Sequence, residues 1–439
     1  MSEGAAGLFG FGAVLVLIGF GVPVALAMAA VGVLGFALLN GVVGAEFILA
    51  SAPFEAVVPY GLSVVPLFVL MGALATRAGL SQALYAAAYA FVGRFRGGLA
   101  MATVGACALF GAICGSSLAT AATMAQVALP EMRRRGYADP LSAASIAAGG
   151  TLGVMIPPSI ILVLYGLLTQ TSIGALFVAA LLPGLLGMAC YMGAIAVQCR
   201  LRPAAGAAGE PYGLDQTLQV VRRVWGVALL FLLVVGGLYV GWFSPTEAAA
   251  VGAFGAFVLA VLARRLGRQA AIDAALETAR TSGMIFFILI GAALFSYFIE
   301  GTRLPDLLVT ILGDAGIGAY ATLVVILLFY LLLGCLMDSL SMVLLTVPVL
   351  FPVAMSLDFG LPPAMAAVWF GILVTTVAEI GMITPPVGMN LFVIQGVTGL
   401  KQDVLVRGIM PFVVADVVRL VLLVGFPWLT LWLPSHMGP

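Results

Sequence analysis

Long apolar runs separated by compact groups of basic residues recur along nearly the whole 439-residue chain. Runs near or above the roughly 20 residues needed to cross a bilayer core read as membrane helices. The basic groups are Arg94/Arg96, Arg133 to Arg135, Arg200/Arg202 with Arg222/Arg223, Arg264/Arg265/Arg268, and Lys401/Arg407. Cytoplasmic loops carry an excess of Lys and Arg, so all five groups are assigned to the cytoplasmic face. Counting spans between groups tests the assignment. Two runs, about 141–168 and 174–198, separate Arg135 from Arg200, and two more, about 224–243 and 245–263, separate Arg202 from Arg264. In both intervals the chain leaves and returns.

The interval from Arg96 to Arg133 holds a single apolar run, about 99–129. It is too short for two full spans, yet both ends are basic. A re-entrant helical hairpin solves the conflict, with its tip near Gly111–Thr120, where Gly and Ser are dense. Farther on, a span near 282–300 runs outward and 304–313 reads as a short interfacial helix begun by Pro305. The run 319–356 has no basic residue and fits a second hairpin of opposite sense, with its tip at Asp338–Ser341. The segment 362–398 returns inward, and 405–433 ends outside. Region 8–39 is long enough for one tilted span or two short ones; counting back from Arg94 favours one, with the N-terminus cytoplasmic. The halves therefore have inverted topology, separated by a polar linker, Arg202–Arg223, containing Pro203, Gly206, Gly209, Glu210 and Pro211.

The two halves also share a motif pair. Gly111-Ala-Ile-Cys-Gly-Ser116-Ser117 precedes Gly153-Val-Met-Ile-Pro157-Pro158, and Gly334-Cys-Leu-Met-Asp338-Ser339 precedes Gly381-Met-Ile-Thr-Pro385-Pro386. Interrupted hydrophobic segments in corresponding positions of two halves point to a transporter's binding site. The expected function is movement of a small solute across a membrane.

Composition narrows the class. With 63% hydrophobic and 8% charged residues, the chain needs lipid as the solvent for most of its surface. Equal numbers of acidic and basic residues, 18 each, argue against nucleic acid as a partner. Cys107, Cys114, Cys190, Cys199 and Cys335 have no CxxC spacing and read as small buried hydrophobes. The one histidine, His436, lies close to the C-terminus, so no histidine-based metal or nucleophile site can be assembled. The N-terminus lacks a basic n-region and a small-residue cleavage site, and its first apolar run is expected to remain as a span.

GAICGSSLATAATM (111–124), PEMRRRGYADPLSAASIAAGGTLGVMIPPSI (130–160), SPTEAAAVGA (244–253), LMDSLSMVLLTVPVLFPV (336–353) and EIGMITPPVGMNLFVIQG (379–396) together resemble the large membrane subunit of tripartite ATP-independent periplasmic (TRAP) transporters. The resemblance runs nearly end to end. It implies an all-α polytopic membrane protein, an inverted repeat with two re-entrant hairpins, working as an elevator-type secondary transporter driven by a sodium gradient. It further implies a small membrane subunit of about four helices on a separate polypeptide, and a periplasmic substrate-binding protein that delivers an organic acid. The location implied is the bacterial inner membrane.

On that plan, residues 1–93 and 224–313 supply scaffold helices and the two arms, and 200–223 the cytoplasmic linker. Residues 94–199 and 314–400 form the transport halves, each with a hairpin and a broken helix (153–158 and 381–386), and 401–439 forms the last helix. Asp338 is the leading cation ligand, because an ionisable group within a membrane hairpin is costly. Ser339 and Ser341 stand beside it; the structural alternative is that Asp338 merely caps a half-helix. Glu379 is expected to face the ion cavity or to pair with a basic residue on another helix. Ser116, Ser117 and Thr120 offer hydroxyls and carbonyls for Na⁺ and substrate, against the alternative that Gly and Ser serve close helix packing. Gly153–Pro158 and Gly381–Pro386 are expected to unwind, since Pro-Pro removes backbone donors and frees carbonyls. Candidate Na⁺ ligands are thus Ser116, Gly153, Pro157, Asp338, Ser339, Glu379, Gly381 and Thr384. Thr384 and Asn390 are placed in the second cavity, and substrate contacts are expected at Ser116, Ser117, Thr120, Thr384 and Asn390. With no Lys or Arg in either tip, a substrate carboxylate would be held by helix N-termini and hydroxyls unless an arginine folds in from elsewhere. Ser244-Pro-Thr-Glu247 has a complete local explanation as a capping box.

The competing functions are a stand-alone divalent-anion/sodium symporter, a passive channel, and a polytopic membrane enzyme. Dependence on a binding protein separates the first, and dependence on an ion gradient the second. The third needs a catalytic constellation that the sequence does not offer.

Overall fold

A computed structural model describes residues 3–209, 212–314 and 316–436; Glu210 and Pro211 of the linker lie outside the described residues. Among the described residues the fold is helical, and eight helices are long and apolar enough to cross a membrane. Hydrocarbon allows this architecture because a helix satisfies its own backbone donors and acceptors.

The region 8–39 is not one span. Helix α1 (Glu3–Gly19) ends before Gly21, whose φ of 84° lies in the left-handed region, and α2 (Val24–Val57) starts after Pro23. Glycine adopts positive φ without a Cβ clash, and the proline ring suits a helix start. The expectation of a single tilted helix is corrected accordingly. Helices α3 (Val64–Arg77) and α4 (Leu80–Val92) follow.

The first helix pair, α5 (Gly98–Cys114) and α6 (Ser117–Arg134), turns at Gly115. Next come α7 (Asp139–Met155), α8 (Ile160–Thr169) and α9 (Ile173–Leu201). The second half repeats this order. Helices α15 (Ala319–Gly334) and α16 (Ser339–Met355) form the pair, α17 (Pro363–Ile383) and α18 (Met389–Thr398) the broken helix, and α19 (Gln402–Gly425) the long one. Between the halves lie α10 (Leu214–Arg223), α11 (Trp225–Val240), α12 (Pro245–Leu262), α13 (Arg268–Thr302) and the short α14 (Leu304–Asp314). The capping box at Ser244 and Glu247 is formed.

The linker is not a free tether. Its C-terminal part is helix α10, and its first part docks on the base of the first helix pair: Gly209 N–H donates to the Gly93 carbonyl at 2.9 Å and the Tyr137 hydroxyl to the Ala207 carbonyl at 2.6 Å.

Packing places the broken helices innermost. The most apolar stretch of α17 is wholly buried, and α7 packs against α5, α6, α17 and α19. On the other side α13 lies along α2, and α12 along α3. Glycines permit that close approach. A Cβ at Gly291 would stand 2.4 Å from the Ala25 carbonyl oxygen.

Candidate functional site

Each hairpin turns on a left-handed glycine or an N-cap, and each tip is a helix N-terminus. At the first, Gly115 has φ 64° and the Ser116 hydroxyl accepts Ala119 N–H at 3.4 Å. At the second, Asp338 caps α16, its Oδ2 accepting Ser341 N–H at 3.0 Å. The unsatisfied N–H groups and dipole of such an end favour negative charge.

The tips meet. Ser116 and Ser117 from the first, and Asp338 and Ser339 from the second, line one cavity of about 130 Å³, closed partly by Met382 and by Thr281 and Ile285 of α13. The structure thus has one cavity shared by both tips. Asp338 is the only carboxylate among its lining residues, and no Lys or Arg lines it. Asp338 therefore caps a helix and also lines the cavity.

The remaining candidates divide. Asn390 is fully buried and reaches the first tip, not the second, donating to Ser117 Oγ at 2.7 Å and to the Ala147 carbonyl at 3.0 Å. Asn390→Ala leaves the Ser117 hydroxyl without its donor, and is expected to lower stability by about 1–3 kcal/mol in detergent unfolding curves. Thr384 points its hydroxyl back into its own helix, donating to Ile380 at 2.6 Å. Thr120 is fully buried with an unpartnered hydroxyl beside Gly153. Ser339 Oγ contacts Met382 Sδ at 3.2 Å.

The helices break later than expected, at Ile156 and Thr384, because Gly153 and Gly381 still belong to α7 and α17. The Gly381 carbonyl accepts Thr384 N–H at 3.1 Å, which occupies one of its two lone pairs. The glycines also permit close helix approach: α5 crosses α7 at Gly111 and Gly153, and α15 crosses α17 at Gly334 and Gly381. At the breaks, Pro157-Pro158 and Pro385-Pro386 are cis. A Cβ on Gly115 would lie 3.3 Å from the Pro158 carbonyl oxygen, so that carbonyl faces the first tip.

Glu379 pairs with a basic residue rather than lining the tip cavity. Its Oε2 lies 2.9 Å from Arg419 Nη2, which also lies 3.1 Å from Asp416 Oδ1. The Tyr191 hydroxyl donates to Asp416 Oδ2 at 2.6 Å and sits 3.2 Å from Thr151 Oγ1. Glu379, Asp416 and Arg419 are all fully buried. The sequence reading missed Asp416 and Arg419, although charged residues inside an apolar run are themselves the signal.

Apolar spans, a repeated hairpin and broken helix, and a small cavity to which both tips bring polar groups define a multi-pass membrane transporter. The chain belongs to the family described as tripartite ATP-independent periplasmic transporter, DctM component, whose model matches residues 11–429. It is 36% identical over 392 residues to the C4-dicarboxylate TRAP transporter large permease protein DctM of Pseudomonas aeruginosa, covering 89% of this chain and 90% of that one. It is 32% identical over 417 residues to the sialic acid TRAP transporter large permease protein SiaM of Vibrio cholerae, covering 94% and 95%. The fold is also similar to the YdaH transporter of Alcanivorax borkumensis, with a TM-score of 0.61 at 15% identity over 97% of this chain and 99% of that one. The chain is a large permease subunit, as its relatives are, and not an enzyme.

Proposed function

We propose that this subunit imports a small organic acid, coupled to an inward sodium gradient. The observation that carries the reading is the shared cavity. Asp338, the Ser116, Ser117 and Ser339 hydroxyls and nearby carbonyls are hard oxygen donors suited to a small cation. The N-termini of α6 and α16 converge on the same space and suit a carboxylate. An organic acid also agrees with the substrates named for relatives, a C4-dicarboxylate and sialic acid.

The hairpins are re-entrant from opposite faces of the bacterial inner membrane. They and the broken helices move as one body against α2, α12 and α13, carrying the cavity in an elevator motion. A small membrane subunit and a periplasmic binding protein complete the system, the latter delivering the acid.

The test is uptake of radiolabelled organic acids into proteoliposomes holding this chain and its small subunit, with candidate binding proteins. Uptake is expected to need both an inward sodium gradient and a binding protein. Asp338→Asn, which keeps an N-cap but removes the charge, is expected to weaken sodium dependence at least tenfold (about 1.4 kcal/mol). Uptake without sodium overturns the coupling; uptake without a binding protein favours a stand-alone symporter.

A further inference from the structure

A cavity of about 670 Å³ lies away from the tips, between α9 and α19. Its walls are apolar: Val197 and Leu201 from α9 face Met410, Val414 and Val418 from α19. All five are exposed, Leu201 at 77% and Val414 at 60%. One end is different. Arg202 follows the last residue of α9 and Arg407 lies in the second turn of α19, and both line the same groove. Among the described residues, neither guanidinium has a carboxylate within 4.0 Å or a hydrogen-bond acceptor, and the groove contains no acidic residue. Gln198, one turn before Arg202, has a buried amide oxygen without a partner at this end.

We propose that this groove binds an anionic phospholipid. The headgroup phosphate sits between Arg202 and Arg407, and one acyl chain lies along Met410, Val414 and Val418. Charge complementarity commits the proposal to this occupant. Guanidinium matches phosphate in fork geometry, and two unpaired cations at the end of an apolar trough meet both parts of such a lipid. The charge pattern places both arginines on the cytoplasmic side, where the leaflet is anionic. A transmembrane partner would instead have to bring an acid to each arginine.

Lipid binding on this outer face of α9 and α19 is separate from the solute and its coupling ion. It is tested by native mass spectrometry of the purified chain with its small subunit, titrated with phosphatidylglycerol or phosphatidylcholine. Each arginine near a membrane surface contributes roughly fivefold, so the parent is expected to prefer phosphatidylglycerol roughly thirtyfold. Arg202→Ala/Arg407→Ala is expected to lose that preference, while the control pair Arg222→Ala/Arg223→Ala keeps it. A double variant that keeps the preference, or a parent without one, overturns the proposal. So does a Val414→Cys crosslink to the small subunit, which would make the groove a subunit interface.

Discussion

Arg419→Ala is expected to cost about 3–5 kcal/mol, the usual penalty for breaking a buried ion pair by removing one partner. The side chain is fully buried, and one nitrogen, Nη2, serves both Glu379 at 2.9 Å and Asp416 at 3.1 Å. Its loss strands two buried carboxylates. Tyr191 continues to hold Asp416 at 2.6 Å, so Glu379 is the group left exposed to the full cost. Unfolding of the purified subunit in detergent measures the effect. Adding Glu379→Gln to Arg419→Ala removes one uncompensated charge and is expected to recover part of the loss. Arg419→Lys keeps the charge but not the fork, and should fall between parent and alanine. A double variant no more stable than Arg419→Ala would show that the cost lies in lost packing and not in stranded charge.

The second large effect is steric, and its rank order is set by the structure. A Cβ on Gly111 would meet the Gly153 Cα at 2.1 Å, and one on Gly381 would meet the Gly334 carbonyl carbon at 2.5 Å. Both obstacles are backbone and cannot swing aside. On Gly153 the nearest atom is Thr120 Oγ1 at 2.9 Å, and on Gly334 it is the Gly381 Cα at 3.2 Å. Alanine is therefore expected to harm uptake and thermal stability most at Gly111 and Gly381, less at Gly153 and least at Gly334. The first two should lose at least about 3 kcal/mol, the upper part of the range for overpacked cores, because two helices must move apart. Equal tolerance at all four positions would show that the hairpins sit loosely on the broken helices.

The two helix crossings explain how much of the site was legible. The repeated Gly motifs, the Pro-Pro pairs and the tips at Ser116 and Asp338 were all visible, because caps, prolines and left-handed glycines act within a few residues. Gly153 and Gly381 were singled out for their carbonyls, which face Pro157 and Pro385 in place of an i+4 donor; that they are also close-approach points one turn before the breaks needed the tertiary structure. Asn390 was assigned to the second cavity by proximity in sequence, yet its partner Ser117 lies 273 residues away. The division of region 8–39 at Gly21 and Pro23 was missed because charge counting sees loops only where they are basic.

By itself the sequence determined the local elements: where the Pro-Pro breaks fall, which two tips carry hydroxyls and a carboxylate, and which loops are basic. The tertiary structure decided which faces meet. It brought the tips to one cavity, set Asn390 on Ser117, and joined Glu379 to Arg419 and, through Asp416, to Tyr191. The reason is the solvent. In a soluble helix the contrast between a polar and an apolar face reveals the buried side. In a bilayer, lipid and protein interior are equally apolar, so that contrast vanishes and packing alone selects the partner.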